Sequence, residues 1–527
     1  MDKIIFLYGP PGSGKSIVGR KLAQALRRPF WDLDEVIEMG AGQSIPEIFA
    51  REGEAGFRLR EFQALHEISR QPPGVVALGG GALLSPKARS LAESRGRVLC
   101  LSAPQETLLN RLRFSAVERP LLTNDDQMLD EDRLVKLIHA RSAHYASFAV
   151  QLDTESLSPE EAAWEAQALL GCFHVSAMGT GYDVWVEPGG LNAVGALLSR
   201  RGLKGPVVVV TDENVAPVYL QCVIESLTGA GYSATSVVLP AGEVFKNMAS
   251  VERIWEALIK AGVDRGSTLA ALGGGVINDL AGFAAAVYLR GLRWVALPTS
   301  LLAMCDASLG GKTGVDLSQG KNLVGAFHPP AFVLADPQAL ATLPEEELRN
   351  GMAEVVKHGV IADAALFSIC SQGWNAVMDR IEEVVRRSMA VKVRVIEEDP
   401  FEKGARATLN LGHTLGHALE QASGYRMMHG EGVAIGMVAS ARYAESIGLA
   451  EGGMTERLRA ALLGLGLPVE PPMRLDKQAV IQAMRLDKKR ADGRIKLVLP
   501  CKIGKAIFGV DLDDASRLID TVWREKP

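Results

Sequence analysis

The stretch Gly9-Pro10-Pro11-Gly12-Ser13-Gly14-Lys15-Ser16 decides the fold of the first part of this chain. It follows an apolar run, IIFLY at residues 4–8, and precedes a helix-like segment, IVGRKLAQAL at residues 17–26. A strand, a glycine-rich loop and a helix in this order form a phosphate-binding loop, whose backbone N–H groups converge on phosphate oxygens at the helix N-terminus. Lys15 adds a positive charge, and the Ser16 hydroxyl suits Mg²⁺. The predicted nucleotide ligands are Gly9, Gly12, Gly14, Lys15 and Ser16.

Outward from this loop, apolar runs alternate with helix-like segments as far as about residue 170, which is typical of a parallel sheet covered by helices. A stretch rich in turn residues follows, and runs such as PVVVVTD at 206–212 then restart an α/β pattern. Beyond about residue 337 helical periodicity dominates. We therefore expect an α/β protein with a P-loop domain at 1–170, a linker at 171–180, a Rossmann-like α/β domain at 181–336 and a mostly α-helical domain at 337–527.

Composition excludes several function classes. A length of 527 residues suits about three domains, and a net charge of -5 argues against a general polyanion-binding surface, so we expect no nucleic acid partner. Six scattered cysteines without a CxxC pair suggest reduced thiols in a cytoplasmic protein. No apolar run approaches 18 residues, so we expect neither a membrane span nor export. Small molecules are the expected partners.

A second glycine-rich turn stands in the middle of the chain, in LAALGGGVIND at residues 269–279. Three glycines directly after an apolar strand and before a helix-like segment allow a pyrophosphate to rest on backbone N–H groups. The run does not match G-x-G-x-x-G, and a tight strand-to-helix turn without a ligand is an equal alternative.

Histidines and a glutamate indicate a metal site in the last third of the chain. His413 and His417 are spaced i, i+4 and share a helix face, His429 follows closely, and Glu354 precedes them. Such side chains suit a divalent metal such as Zn²⁺. HTLGH lacks the glutamate of HExxH, so peptide hydrolysis is not supported. A pair of core or capping histidines is the alternative.

The residues downstream of the phosphate loop specify more than nucleotide binding. They are Phe30-x-Asp32-x-Asp34, Phe57-Arg58-x-x-Glu61, Gly79-Gly80-Gly81, Arg119-Pro120-Leu121-Leu122 and Arg141-x3-Tyr145. In this order and spacing they resemble shikimate kinase, over essentially residues 1–170. A small polyhydroxy acid needs guanidinium groups for its carboxylate, a carboxylate for its hydroxyls and positive charge over the transferred phosphoryl group.

The resemblance implies a role for each of these residues, with ATP and Mg²⁺ as the cofactors. Asp34 would hold the acceptor hydroxyls and act as base, and Asp32 would help Ser16 to organise Mg²⁺. Lys15 and Arg119 would act on the phosphoryl group, Arg119 from a closing lid. The acceptor would lie against Arg58, Arg141 and the backbone of Gly79, Gly80 and Gly81. Either Arg111 or Arg113 would stack on adenine.

The second half carries a longer resemblance. Its segments are PAGEVFK at 240–246, GGGVINDLAGFAAAVYLRG at 273–291, LPTSLLAMCDASLGGKTGVD at 297–316, GKNLVGAFHPP at 320–330, MAEVVKH at 352–358, RATLNLGHTLGHALE at 406–420 and HGEGVAIGM at 429–437. Together they resemble 3-dehydroquinate synthase over about residues 180–500. The departures, Ser300, Ala307 and Leu415, remove no charged group.

By this resemblance the metal ligands would be Glu354, His413 and His429, whereas helix spacing alone favours His413 and His417. His417 would then lie on the phosphate side and be catalytic. The substrate would be bound by Asp306, Arg290, Lys312, Asn322, Lys357, Lys392, Arg406 and Asn410, of which Lys312, Lys357, Arg406 and Asn410 would be catalytic. The dinucleotide would be held by Asp212, Asn214, Glu243, Lys246, Gly274, Gly275, Asp279, Thr299, Ser300 and Lys321. Lys488 or Lys489 would also reach the site.

The two resemblances together imply a bifunctional enzyme of aromatic biosynthesis that uses ATP with Mg²⁺ in one half and NAD with Zn²⁺ or Co²⁺ in the other. A homodimer through the second half is the expected assembly. One alternative is a metal-dependent polyol dehydrogenase in the second half, which would accumulate NADH. Another is a first half that binds nucleotide as a regulatory module and phosphorylates nothing.

Overall fold

The computed structural model describes residues 3–114, 122, 129–490 and 495–523, and for residues 486–490 it describes the backbone alone. The chain divides into two compact units, Met1–Phe173 and His174–Pro527. Within the described part of the chain, no helix is both long and apolar enough to cross a membrane.

The first unit is built on a parallel sheet of five strands in the order β2-β3-β1-β4-β5. Its strands are β1 (Ile4–Tyr8), β2 (Phe30–Asp32), β3 (Val75–Ala77), β4 (Gly96–Ser102) and β5 (Val150–Asp153). Its helices are α1 (Lys15–Ala25), α2 (Leu33–Ala41), α3 (Ile45–Ile68), α4 (Pro86–Arg95), α5 (Gln105–Arg113), α6 (Glu131–Ala146) and α7 (Pro159–Leu170).

Local sequence explains how this unit positions the ends of its strands. Every residue of β1 is buried, as expected for a central strand of a parallel sheet with both faces covered. Gly14 has a φ of 93°, which glycine adopts without strain, and α1 begins at the next residue. Asp32 ends β2 and caps α2, because its side chain accepts the Asp34 N–H at 3.2 Å. The phosphate loop and the two aspartates therefore lie at the carboxyl ends of β1 and β2, which β3 separates in the sheet.

The second unit contains a sheet of seven strands in the order β6-β7-β14-β11-β10-β8-β9 and two antiparallel hairpins, β12-β13 and β15-β16. The sheet strands are β6 (Cys172–Val175), β7 (Tyr182–Val186), β8 (Val207–Asp212), β9 (Ala234–Leu239), β10 (Thr268–Gly273), β11 (Arg293–Pro298) and β14 (Phe332–Ala335). The hairpin strands are β12 (Lys312–Leu317), β13 (Gly320–Phe327), β15 (Ile495–Lys502) and β16 (Lys505–Leu512). The stretch expected to be a linker, 171–180, contains β6.

The helices of this unit follow mostly after the sheet. They are α8 (Val194–Arg200), α9 (Gln221–Gly229), α10 (Met248–Lys260), α11 (Gly275–Val287), α12 (Glu345–Ala362), α13 (Ala364–Cys370), α14 (Trp374–Asp379), α15 (Ile381–Glu398), α16 (His413–Ala422), α17 (His429–Ser446), α18 (Met454–Gly464), α19 (Lys477–Arg490) and α20 (Ala515–Ile519). The predicted α/β fold class with a helical C-terminal region is confirmed. A boundary near residue 336 inside the unit stays a prediction.

Glycines bring α16 and α17 together at backbone distance. A Cβ on Gly436 would lie 1.9 Å from the Gly412 carbonyl oxygen, and a Cβ on Gly416 would lie 3.0 Å from the Gly432 carbonyl carbon. Such approach is possible only where both helices lack side chains. Because α16 begins at His413 and α17 begins at His429, this packing places the two histidines side by side.

Two candidate active sites

The phosphate loop and the predicted acceptor residues line one cavity of about 1090 Å³ in the first unit. Lys15 Nζ donates to the carbonyl oxygens of Gly9 and Pro10, at 2.9 Å each. The Ser16 hydroxyl donates to Asp32 Oδ2 at 2.6 Å. A hydroxyl and a carboxylate oxygen, both of the oxygen type that Mg²⁺ prefers, therefore lie together at the phosphate loop.

The acceptor side of this cavity has a buried ion pair. Arg58 donates to Glu61 Oε2 at 2.6 Å and to Glu54 Oε1 at 3.2 Å. Glu61 is 3% exposed, and its Oε1 has no hydrogen-bond partner among the described residues. Burial raises the pKa of Glu61, although Arg58 and Arg141 oppose that shift. The sequence predicted no role for Glu61, although it ends the Phe57-Arg58-x-x-Glu61 motif. Its position three residues after Arg58 on one helix could have indicated the ion pair.

The glycine run Gly79–Gly81 lies against these charges. A Cβ on Gly79 would lie 2.7 Å from Glu61 Oε1, and a Cβ on Gly81 would lie 2.5 Å from Arg58 Nη2. Arg141 Nη1 donates to the Gly80 carbonyl at 3.3 Å. The structure thus brings the predicted acceptor residues of this half together, with Asp34 on the same cavity wall.

The structure distinguishes the two arginines that the sequence left as alternatives for adenine. Arg111 lines the cavity and donates to Thr154, at 3.0 Å to the hydroxyl and 2.6 Å to the carbonyl. Arg113 instead pairs with Glu131 at 2.7 Å on the surface. Arg111 is therefore the better placed for a nucleotide. Arg119, the predicted lid residue, lies outside the described residues.

In the second unit, Glu354, His413 and His429 offer ligand atoms that all lie within 4.8 Å of one another. Glu354 is fully buried, and its Oε1 lies 3.5 Å from Nε2 of each histidine while having no hydrogen-bond partner among the described residues. Its other oxygen contacts the Lys357 ammonium. A buried carboxylate oxygen aimed at two imidazole nitrogens, without a donor of its own, fits a divalent cation such as Zn²⁺ or Co²⁺.

Glu420 orients one of these histidines, a feature that sequence reasoning missed. Its carboxylate accepts from His429 Nδ1 at 3.0 Å, which leaves His429 Nε2 facing Glu354. Although burial opposes the shift, the nearby carboxylates of Glu354 and Glu420 raise the pKa of His429 to about 10, so the position favours positive charge. His417 is exposed, with its ring 5.4 Å from that of His413. In the sequence, the only indication that Glu420 lies near the histidines was its position one helical turn after His417.

Two of the predicted substrate residues, Lys392 and Arg406, are buried cations of the second unit. Lys392 Nζ donates to the Asp306 carbonyl at 2.7 Å and contacts its carboxylate. Burial lowers the pKa of Lys392, and Asp306 opposes this shift. Arg406 is 1% exposed and donates to the Pro400 carbonyl at 2.6 Å. These buried cations suit a multiply charged anion in a site of low dielectric.

The remaining substrate residues lie nearer the surface. Lys312 forms an ion pair with Glu402. Asn410 is exposed at the end of the 3₁₀ helix Ala405–Asn410, and Arg290 is exposed in a turn with a φ of 66°. The side chains of Lys488 and Lys489 lie outside the described residues.

The predicted dinucleotide residues gather at the carboxyl ends of β8, β10 and β11, which neighbour one another in the sheet. Asp212 ends β8 and accepts the backbone N–H of Asn214 at 2.9 Å. Gly274 caps α11, Gly275 begins it, and the Thr299 N–H donates to the Gly273 carbonyl at 3.1 Å. A Cβ on Gly274 would lie 3.5 Å from Ser300 Oγ. This edge is where α/β sheets bind nucleotides.

Lys246 connects the predicted dinucleotide and substrate residues. Its ammonium lies 2.5 Å from Asp279 Oδ2 and donates to Asn322 Oδ1 at 2.6 Å. Burial raises the pKa of Asp279 to about 6, in spite of Lys246. Beside this group, Lys321 Nζ lies 3.5 Å from Glu243 Oε1. The structure thus brings Glu243, Lys246, Asp279 and Lys321 together.

Comparison with known proteins agrees with both family resemblances. Residues 11–170 match the family model for shikimate kinase, residues 236–350 that for the 3-dehydroquinate synthase N-terminal region and residues 351–490 that for its C-terminal region. The 3-dehydroquinate synthase of Crocosphaera subtropica is 42% identical over 352 residues, covering 65% of this chain and 96% of that protein. That of Symbiobacterium thermophilum is 46% identical over 344 residues, covering 64% and 96%.

A solved structure is similar to the second unit. It is the 2-epi-5-epi-valiolone synthase of Streptomyces hygroscopicus, with NAD⁺ and Zn²⁺ bound, which is 31% identical and has a TM-score of 0.60 over 64% of this chain and 95% of its own.

Folds, sites and comparisons together define an enzyme that joins a transferase of the P-loop kinase class to an α/β lyase, both of the shikimate pathway. The chain belongs to the 3-dehydroquinate synthase family, and a shikimate kinase domain precedes its synthase part.

Proposed function

We propose that the first unit transfers the terminal phosphoryl group of ATP, with Mg²⁺, to shikimate and forms shikimate 3-phosphate. The observation that carries this proposal is the single cavity that the phosphate loop shares with Asp34, Arg58 and Arg141. Two guanidinium groups suit the acceptor carboxylate, and Asp34 would accept the proton of the attacking hydroxyl. Lys15, and Arg119 from its lid segment, would offset negative charge on the transferred group.

Phosphorylation of shikimate by the full-length protein tests this proposal. Asp34→Ala is expected to abolish turnover while nucleotide affinity stays within about twofold, because Asp34 lies on the acceptor side of the cavity. Asp130→Ala, which alters a helix cap on the surface, is the matched control. Nucleotide binding without any phosphorylation in the wild-type protein would support the regulatory-module alternative instead.

We propose that the second unit converts 3-deoxy-D-arabino-heptulosonate 7-phosphate to 3-dehydroquinate with release of phosphate. The carrying observation is the triad of Glu354, His413 and His429 beside the buried cations Lys357, Lys392 and Arg406. When bound, NAD would supply reversible hydride transfer, and Zn²⁺ or Co²⁺ held by the triad would polarise substrate oxygens.

This chain's own residues account for the rest of that reaction. The buried ammonium and guanidinium groups would bind the carboxylate and phosphate of the substrate, and would stabilise phosphate as it leaves. Lys312, Asn322, Asn410 and His417 would complete the substrate site, with Arg290 as a further ligand. The dinucleotide would lie along the sheet edge at Asp212, Lys246 and Gly274. Because the hydride transfer that bound NAD would supply is reversible, NADH should not accumulate.

Phosphate release with NAD and Zn²⁺, recorded together with NADH absorbance, tests this second proposal. Release of phosphate without NADH, lost on chelation, is the expected result. Steady NADH formation from a polyol without phosphate release would instead establish the metal-dependent dehydrogenase.

We also propose that the protein forms a homodimer through the second unit and is located in the cytoplasm. The synthase resemblance supports the dimer, and the scattered cysteines support a reducing compartment. Sedimentation velocity would detect the dimer as a species of twice the chain mass.

A further inference from the structure

Tyr8 carries a buried hydroxyl group directly before the phosphate loop. It ends β1 and directly precedes Gly9, and its side chain is fully buried. Its ring packs against those of Tyr145 and Phe148, with centroids 5.4 and 5.2 Å apart. A buried phenol costs free energy unless its hydroxyl finds a partner. The Tyr8 hydroxyl donates to the Gly80 carbonyl oxygen at 3.3 Å.

Three donors from two elements, β1 and α6, converge on that carbonyl. Besides Tyr8, the Tyr145 hydroxyl donates at 2.7 Å and Arg141 Nη1 donates at 3.3 Å. Gly80 also lies against the phosphate loop, since a Cβ on it would be 3.2 Å from Pro11 Cδ and 3.3 Å from the Gly9 carbonyl oxygen. The Gly80 peptide is therefore the point at which the phosphate loop, the glycine run and α6 meet.

The hydroxyls of Tyr8 and Tyr145 connect the Gly80 carbonyl to different elements. Tyr145 lies one turn after Arg141 on α6, so its hydrogen bond ties the Gly80 carbonyl to the helix that carries the acceptor guanidinium. Tyr8 belongs to the strand that leads into the phosphate loop, so its hydrogen bond ties the same carbonyl to the nucleotide side. Burial raises the pKa of the Tyr8 hydroxyl, which therefore stays protonated and remains a donor.

We propose that Tyr8 is a positioning residue of the kinase site, whose hydroxyl holds the Gly79–Gly81 run and Arg141 in register with the phosphate loop. The inference rests on the proposed kinase function, because it assumes that the acceptor binds between Arg141 and this glycine run. Without the hydroxyl, the Gly80 carbonyl loses its link to β1, and the acceptor site becomes less ordered while the phosphate loop keeps its own contacts.

Tyr8→Phe in the full-length protein tests this inference, since it removes one oxygen and keeps the ring packing. We expect KM for shikimate to rise about three- to tenfold, with kcat and KM for ATP within about twofold of wild type. Tyr145→Phe should raise the same KM. Tyr232→Phe is the control: it removes a partly buried hydrogen bond from the Tyr232 hydroxyl to the Leu203 carbonyl in the second unit. It should leave all three constants unchanged.

Two results would overturn the inference. An unchanged KM for shikimate in Tyr8→Phe would show that the hydroxyl does not position the acceptor site. Equal rises in KM for both substrates, together with a lower kcat and a lower melting temperature, would show that Tyr8 has a packing role only. Failure of the wild-type protein to phosphorylate shikimate would refute the proposed kinase function itself, and so is distinguishable from either result.

Discussion

At the scale of single residues, Glu420 is the side chain whose importance only its contacts reveal. It holds His429 Nδ1, so that Nε2 faces Glu354. Carboxylates that orient metal-binding histidines typically contribute 10- to 100-fold to metal affinity. We therefore expect Glu420→Gln to weaken Zn²⁺ binding by about that factor, as measured by competition with a chelator.

Glu445→Gln is the control for this prediction, because Glu445 also lies on a helix of the same region but accepts from Thr455, away from the histidines. Unchanged metal affinity in Glu420→Gln would show that the His429–Glu420 contact has no part in binding.

Asp279 provides a pH test at the same scale. Its pKa, raised by burial to about 6 from 3.8, means that the folded protein binds a proton more tightly than the unfolded chain. The resulting stabilisation is complete below about pH 4 and is lost as pH rises through 6, by up to roughly 3 kcal/mol. Asp279→Asn cannot bind this proton. The difference in free energy of unfolding, wild type minus variant, should therefore fall between pH 4 and 7, and a pH-independent difference would contradict the assignment.

At the scale of elements, the contact between α16 and α17 decides whether the metal site forms. A Cβ on Gly436 would lie 1.9 Å from the Gly412 carbonyl oxygen, and backbone atoms cannot move aside as a flexible side chain can. Gly436→Ala should destabilise the second unit by about 1–3 kcal/mol and weaken metal binding, because it separates His413 from His429. Calorimetry and metal titration would measure both effects.

Gly229→Ala is the matched control for the helix contact. Gly229 is also helical, and a Cβ there meets nothing within 4 Å. Alanine should therefore stabilise that helix slightly. If both variants behaved alike, close backbone packing would not be the cause.

At the scale of the whole molecule, the described residues of each candidate site belong to a single unit. The kinase cavity is lined by residues up to Ala162, and the metal cluster lies between Glu354 and His429. We expect Lys15→Ala to abolish shikimate phosphorylation and leave phosphate release within about twofold, and His413→Ala to do the reverse. A loss of both activities in either variant would show that the two reactions depend on each other.

The α/β class, the phosphate loop and both family resemblances could be predicted from the amino-acid sequence alone, because these depend on short-range patterns of glycine, charge and apolar periodicity. Tertiary structure decided which neighbours in space act together. Helix spacing favoured His413 with His417, whereas the glycine contact between α16 and α17 places His429 beside His413 and Glu354. It likewise decided the contacts of Glu61, Glu420 and Tyr8. Their partners are defined by burial and by hydrogen bonds that only the packed elements create, since no local pattern specifies which buried polar groups will meet.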